Sequence, residues 1–260
     1  SGEMTTALAV DEKAHHAPTQ VSMAASRQGA GYSLNGSKCF VADGSTADKL
    51  IVAARTSGAA GDMKGISLFV VDRTAPGVEV ERTKVTDGRN YASIGFNNVE
   101  VSEAALLGEE GKGFRALSAT LDAGNIYLSA ELLGIAQESF DRTLQYLKER
   151  KQFGTLIGSF QALQHRAADW WSQLELCKSI VLKALQAIDE GDVKAPALAS
   201  IAKAKLSEVA ELATNEAIQM HGGIGMTDEY EIGFFMKRSR VCEHALGGSA
   251  FHRDRYGVLQ

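Results

Sequence analysis

The sequence is poor in the residues that staple or punctuate a fold: 260 residues hold only three cysteines and three prolines. Cys39, Cys177 and Cys242 are far apart and odd in number, with no Cys-x-x-Cys pair, which argues against a disulfide framework and a zinc knuckle. None of the six histidines stands in a His-x-His or His-Glu-x-x-His spacing, so no metal site is expected. Positive charge is also short. With 27 basic and 32 acidic residues the net charge is −5, and no overall field exists to hold nucleic acid. No run approaches the ~18 consecutive apolar residues of a membrane span. Ser1-Gly2-Glu3-Met4 does not open a secretory signal. A soluble, cytoplasmic protein is expected. The chain lacks a Walker loop, a Gly-x-Ser-x-Gly elbow and a Gly-x-Gly-x-x-Gly fingerprint, which excludes the commonest single-motif enzymes.

What is present divides by period. Leu50–Ala54, Ile66–Val71, Val78–Val80, Ala92–Phe96 and Val99–Val101 are short runs rich in β-branched residues and bounded by turn formers. Asn35-Gly36 reads as a hairpin turn between Gly31-Tyr32 and Cys39-Phe40-Val41. From about Gly113 the spacing changes to three and four. Leu133, Ala136, Phe140, Leu144 and Leu147 mark one helix, and Phe160, Leu163, Ala167, Trp170, Leu174 and Cys177 a second running towards Ile188. Leu198, Ile201, Ala202, Leu206, Val209, Leu212 and Ile218 mark a third, stopped at Gly222-Gly223, and a fourth is expected over 232–245. The fold class is therefore α+β. A small all-β sandwich or barrel is expected over residues 1–105 and an antiparallel four-helix bundle over 106–260.

Three stretches have the chemistry of a site. Glu149-Arg150-Lys151-Gln152-Phe153-Gly154, followed by Ser159-Phe160-Gln161, joins a guanidinium fork suited to phosphate with rings that can cover a flat heterocycle. The plainer alternative is a charged helix end with a capping glycine. Gln219-Met220-His221-Gly222-Gly223-Ile224-Gly225 offers an amide and a backbone that a ligand can approach closely, or else a helix C-cap. Leu246-Gly247-Gly248-Ser249 places a hydroxyl and free N–H groups between two helical segments, or is a simple turn. His221 alone reads as a structural histidine. Trp170 and Trp171 are expected to divide between the core and an interface.

In this order the motifs resemble the FAD-dependent acyl-CoA dehydrogenase family over nearly the whole chain. The family has an N-terminal helical domain, a middle β domain and a C-terminal bundle, and the sequence resembles the last two. Ala130–Gln137 and Gly222–Tyr230 are most similar to small subunits of bacterial two-component members related to pimeloyl-CoA dehydrogenase. The resemblance implies that Arg150 reaches the FAD pyrophosphate of a neighbouring subunit, with Phe153 beside it and Phe160 and Gln161 just beyond. It also implies that Gln219, Gly222 and Gly223 meet the adenosine side, and that Ser249 serves the cofactor. Phe40-Val41-Ala42 matches the family's flavin-facing Trp-Ile-Thr/Ser stretch, and Asp11-Glu12-Lys13-Ala14 stands where members read Thr-Glu-Pro.

The implied reaction needs a carboxylate base for the α proton of an acyl-CoA. In most members this is a glutamate before Gly-Thr/Ser, and the matching position is Gly247. In some relatives it lies in a Leu-Asp-x-Glu-Arg segment, and the matching position is Gly124. Glu243 and Glu131 are the nearest remaining carboxylates. The expectation is a subunit without its own catalytic glutamate that completes the FAD site of a homologous partner. The resemblance leaves the electron acceptor open between an electron-transferring flavoprotein and oxygen. The alternatives are a self-sufficient dehydrogenase or oxidase with a relocated base, and a flavin-free scaffold.

Overall fold

The computed structural model describes residues 2–260. The chain folds as two compact units that divide after Thr120. No helix among the described residues is long and apolar enough to cross a membrane.

The first unit is one mixed sheet of β1 (Thr6–Ala9), β2 (Ala24–Gln28), β3 (Gly31–Ala42), β4 (Lys49–Arg55), β5 (Ile66–Asp72), β6 (Val78–Lys84), β7 (Asn90–Ser102) and β8 (Leu106–Leu107). The order is β6-β7-β3-β2-β4-β5-β8, with β1 alongside β4. β7 and β5 lie near opposite edges, yet Ile94 and Phe96 share one apolar cluster with Phe69 and Val71. A flat sheet could not bring them together, so the sheet curls over its own core.

The Asn-Gly hairpin is a correction. β3 runs unbroken through Asn35-Gly36, and its pairing with β7 shifts register there and again between Lys38 and Val41. Gly36 has φ 146° and any Cβ would stand 2.8 Å from the Met23 side chain, so the glycine serves a close approach inside a bulge. The Asn35 carboxamide accepts from the backbone N–H of Asn98 at 2.9 Å, on the β7 side of the same irregularity, where Asn98 has φ 51°. The actual hairpin joins β2 and β3 through Gly29-Ala30. Likewise, the runs Ala92–Phe96 and Val99–Val101 are one 13-residue strand.

The second unit contains most of α1 (Phe114–Glu149), then α2 (Gln161–Asp189), α3 (Ala195–His221), α4 (Ile232–His244) and α5 (Ser249–Leu259). A two-stranded ribbon, β9 (Lys151–Gln152) and β10 (Thr155–Leu156), links α1 to α2. The four expected helices are α1 to α4, and α5 continues beyond the Gly-Gly-Ser turn. Ala136 and Phe140 of α1, Trp170 and Leu174 of α2, Leu206 and Ala213 of α3 and Cys242 of α4 form one core. Phe140 and Trp170 meet edge to face at 5.0 Å. α3 is buried on most of its circumference by small residues, Ala199, Ser200, Ala202, Ala210, Ala213 and Ala217 among them. Small side chains let neighbouring helices approach closely, which makes α3 the central helix.

Candidate functional site

The β9–β10 ribbon turns at Phe153-Gly154, both at positive φ (55° and 79°), as a type I′ turn requires. A phenylalanine is strained in that conformation. It is nevertheless 91% exposed, and the Phe160 ring meets it edge to face at 6.2 Å. Arg150, just after α1, donates its backbone N–H to the Tyr146 carbonyl, and its own carbonyl accepts from the Ile157 N–H. Its guanidinium is exposed and forms no ion pair among the described residues. Gln161 opens α2, also exposed. An exposed cation and two rings thus lie on and beside one ribbon, groups that suit a phosphate and a planar ligand.

α3 stops at His221, with Gly222 at φ 64° and its N–H on the Gln219 carbonyl. This is the expected glycine stop. Gln219, Gly222 and Gly223 are exposed, and nothing stands within 4 Å of where a Cβ would sit on either glycine. The backbone there is open to a ligand. His221 is buried between the rings of Tyr146 (4.4 Å) and Tyr230 (4.9 Å), and its Nδ1 donates to the Ala217 carbonyl at 2.7 Å. Burial lowers its pKa, so the ring is neutral and structural.

In the β unit, Phe40 stands at the bulge of β3 with φ 50° and is half exposed. The residue two before it anchors the loop that follows β1. Lys38 is buried and donates to the Val10 carbonyl at 2.8 Å and to Glu12 at 2.9 Å. The other Glu12 oxygen accepts from Ser22 N–H, and Asp11 accepts from His16 and Ala17 N–H. Asp11 and Glu12 therefore fix the loop rather than face solvent as free carboxylates.

The α4–α5 turn is where a base would be sought. Leu246 and Gly247 both have positive φ, 56° and 99°. A Cβ on Gly247 would stand 2.4 Å from the Phe251 ring, so no larger residue fits this backbone. A Cβ on Gly124 would stand 2.8 Å from Leu246 Cδ1. Leu246 thus packs against Gly124, while Gly247 faces Phe251 and His252. Ser249 donates to Glu208 at 2.5 Å, and Glu208 also meets Arg253. Glu131 is bound by both ends of the Arg238 fork at 2.6 and 2.9 Å. Glu243 meets Arg240 at 3.1 Å. Each carboxylate thus has a cation on it, which ties it in place.

Residues 7–100 match the model of the acyl-CoA dehydrogenase middle domain, and residues 111–257 that of the acyl-CoA dehydrogenase C-terminal domain. The chain belongs to the acyl-CoA dehydrogenase family. It is 34% identical to the cyclohex-1-ene-1-carbonyl-CoA dehydrogenase of Syntrophus aciditrophicus, over 87% of this chain and 55% of that one. It superposes on the butyryl-CoA dehydrogenase of Megasphaera elsdenii with a TM-score of 0.92 at 31% identity, covering 99% of this chain and 68% of that one. A chain in the solved structure of the electron transferring flavoprotein of Acidaminococcus fermentans matches with a TM-score of 0.92 and 33% identity, over 98% and 68%. The chain thus spans between half and about two thirds of the length of these acyl-CoA dehydrogenase relatives.

Sequence reasoning missed a cluster behind the α4–α5 turn. Lys203 has no exposed surface and donates to the carbonyls of Gly247 (2.8 Å) and Glu243 (2.9 Å). Burial pulls its pKa down to about 8. His252, also fully buried, faces the Leu246 carbonyl through Nε2 at 3.0 Å. Asp122 pairs with Arg255 at 2.7 Å, and its burial raises its pKa. The available signal was Lys203 itself, a lysine on the alanine-rich stripe of α3.

Proposed function

We propose that this chain is a subunit of an FAD-dependent acyl-CoA dehydrogenase that lacks its own base and completes the FAD site of a homologous partner. The observation that carries this reading is that glycine stands at both positions where the resemblance puts the base, with Leu246 packed against Gly124 and Phe251 against Gly247. Glycine and leucine hold no proton at pH 7, and the backbone of the turn excludes a side chain at Gly247.

The residues present fit FAD. Arg150 offers a free guanidinium fork for a pyrophosphate, Phe153 and Phe160 offer rings, and Gln219 with Gly222-Gly223 offers an amide and an open backbone. Phe40 offers a half-exposed ring in the β unit. Ser249 is the weakest of the proposed contacts because its hydroxyl proton is committed to Glu208. Bound FAD would supply the hydride acceptor, while α-proton removal from the acyl-CoA would fall to a partner's carboxylate. The site edge built by Arg150 and Phe153 projects outward, as a contribution to a neighbouring subunit must.

The finer reading is a small subunit of a two-component enzyme of the pimeloyl-CoA type. Its β domain would be residues 1–105 and its bundle 106–260, it would be cytoplasmic, and its acceptor would be an electron-transferring flavoprotein. The family kinship and the Acidaminococcus fermentans match support this. A relocated base is disfavoured because Glu131 and Glu243 are tied to arginines, and a scaffold would have no use for an unpaired Arg150.

Arg150→Ala tests the reading. FAD retention by the assembly should fall at least tenfold while the thermal midpoint of the chain stays unchanged. Unchanged flavin content would refute it.

A further inference from the structure

The two adjacent tryptophans of α2 face opposite ways. Trp170 joins Leu174, Cys177 and Val181 on the buried side, while Trp171 is 52% exposed. At roughly 100° per residue, the stripe opposite the core runs through Trp171, Ser172, Glu175, Ser179 and Leu182. Leu182 is 59% exposed. The outer face of a bundle helix is ordinarily polar, and its polar groups ordinarily face water. Here they are spent on the helix itself. Ser172 donates to the Ala168 carbonyl at 2.9 Å, Ser179 to the Glu175 carbonyl at 3.2 Å, and Lys178 pairs with Glu175 at 2.7 Å. Covering the stripe therefore strands neither hydroxyl proton, and the serines leave room for a second helix to come close.

The order of the residues says which helix. Reversed about the level of Cys177, the stripe maps onto itself: Ser172 falls opposite Leu182, Glu175 opposite Ser179, and Trp171 opposite Lys183. A two-fold pair thus sets each leucine over the gap at a serine and each exposed ammonium over an indole ring. A parallel pair would set Glu175 on Glu175 and Lys183 on Lys183 instead, like charge against like.

We propose that this face of α2 is an interface between two copies of this chain, packed antiparallel about a two-fold axis level with Cys177. The contact runs about 18 Å along the helix, from Trp171 to Lys183. It does not rest on the functional reading above.

Sedimentation equilibrium of the full chain tests the surface. The unchanged chain should sediment as an even-numbered assembly, and the double variant Trp171→Glu, Leu182→Glu at half that mass or less. Val193→Glu, which replaces a 92% exposed apolar residue between α2 and α3, should keep the full mass. A monomeric unchanged chain, a double variant of full mass, or an equal loss in Val193→Glu overturns the proposal.

Mild oxidation tests the geometry with substitutions that leave the fold in place. A chain carrying both Ser172→Cys and Leu182→Cys should form a covalent dimer. A chain carrying either change alone should not, because the two-fold sets like positions about 15 Å apart along the helix. Cys39, Cys177 and Cys242 are common to all three chains and cancel in the comparison. Equal cross-linking of the Ser172→Cys chain would mean a parallel pair, and no cross-link in the double variant would mean a different face; either result overturns the proposal.

Discussion

The ammonium of Lys203 donates to the Gly247 carbonyl at 2.8 Å, and the lysine has no exposed surface. A buried cation without a carboxylate in hydrogen-bond contact is held by the carbonyls at the end of α4, where the helix dipole favours positive charge. Its pKa nevertheless falls from 10.5 to about 8, since the carbonyls do not replace all the hydration it loses.

That shift predicts a pH dependence. Between about pH 8 and 10.5 the unfolded chain holds the Lys203 proton and the folded chain has lost it, so the unfolded state binds more protons. The lysine's contribution to stability therefore rises with pH across this window, by on the order of 3 kcal/mol in total. Buried Cys177 and Cys242, pushed up to about 11 and 12, act in the opposite sense above pH 9. The comparison must therefore be with Lys203→Met, which retains both thiols. Urea denaturation at pH 7.5 and 9.5 should show the unchanged chain gaining on the variant; no change in the difference would refute the shift.

Gly247→Ala should cost roughly 2–4 kcal/mol. It forces a side chain into positive φ and into the Phe251 ring at 2.4 Å. Gly248→Ala, whose Cβ meets only the Glu243 carbonyl at 3.8 Å, is the control and should cost much less in the same urea titration.

Phe153 is strained and exposed. In the left-handed region a non-glycine residue costs roughly 1–2 kcal/mol, and a ring that is 91% exposed recovers little by burial. Phe153→Gly should leave the thermal midpoint of the chain unchanged or higher and weaken FAD retention by the assembly. A lower midpoint with full flavin retention would mean that the ring serves only the ribbon.

Much of this was legible in the sequence, for reasons that differ between the halves. Long helices repeat their pattern many times, so Ala136, Phe140, Trp170, Leu174 and Leu206 were correctly placed in the core. In α3 the large residues Leu198, Ile201, Leu212 and Ile218 are only half buried, because the closest contacts use alanine and serine. A hydrophobic count cannot weigh those. The β unit was harder. Asn35-Gly36 carries the strongest local turn signal in the chain, yet its neighbours β2 and β7 hold it in a continuous strand. β1 and β2 escaped notice because Thr6–Ala9 and Ala24–Gln28 are short and alanine-rich. Gly124 and Gly247 were legible as glycines at the positions where the family resemblance puts the base. That Leu246 packs against Gly124 was not, since it depends on the two positive φ angles of the α4–α5 turn.

The central claim is that this chain has no base of its own. The direct measurement is the anaerobic visible spectrum of the FAD-loaded chain, without its partner, before and after adding a panel of acyl-CoA thioesters. The account predicts a flavin band that no thioester bleaches, with bleaching only when a subunit carrying the glutamate is added. Bleaching by this chain alone would contradict it.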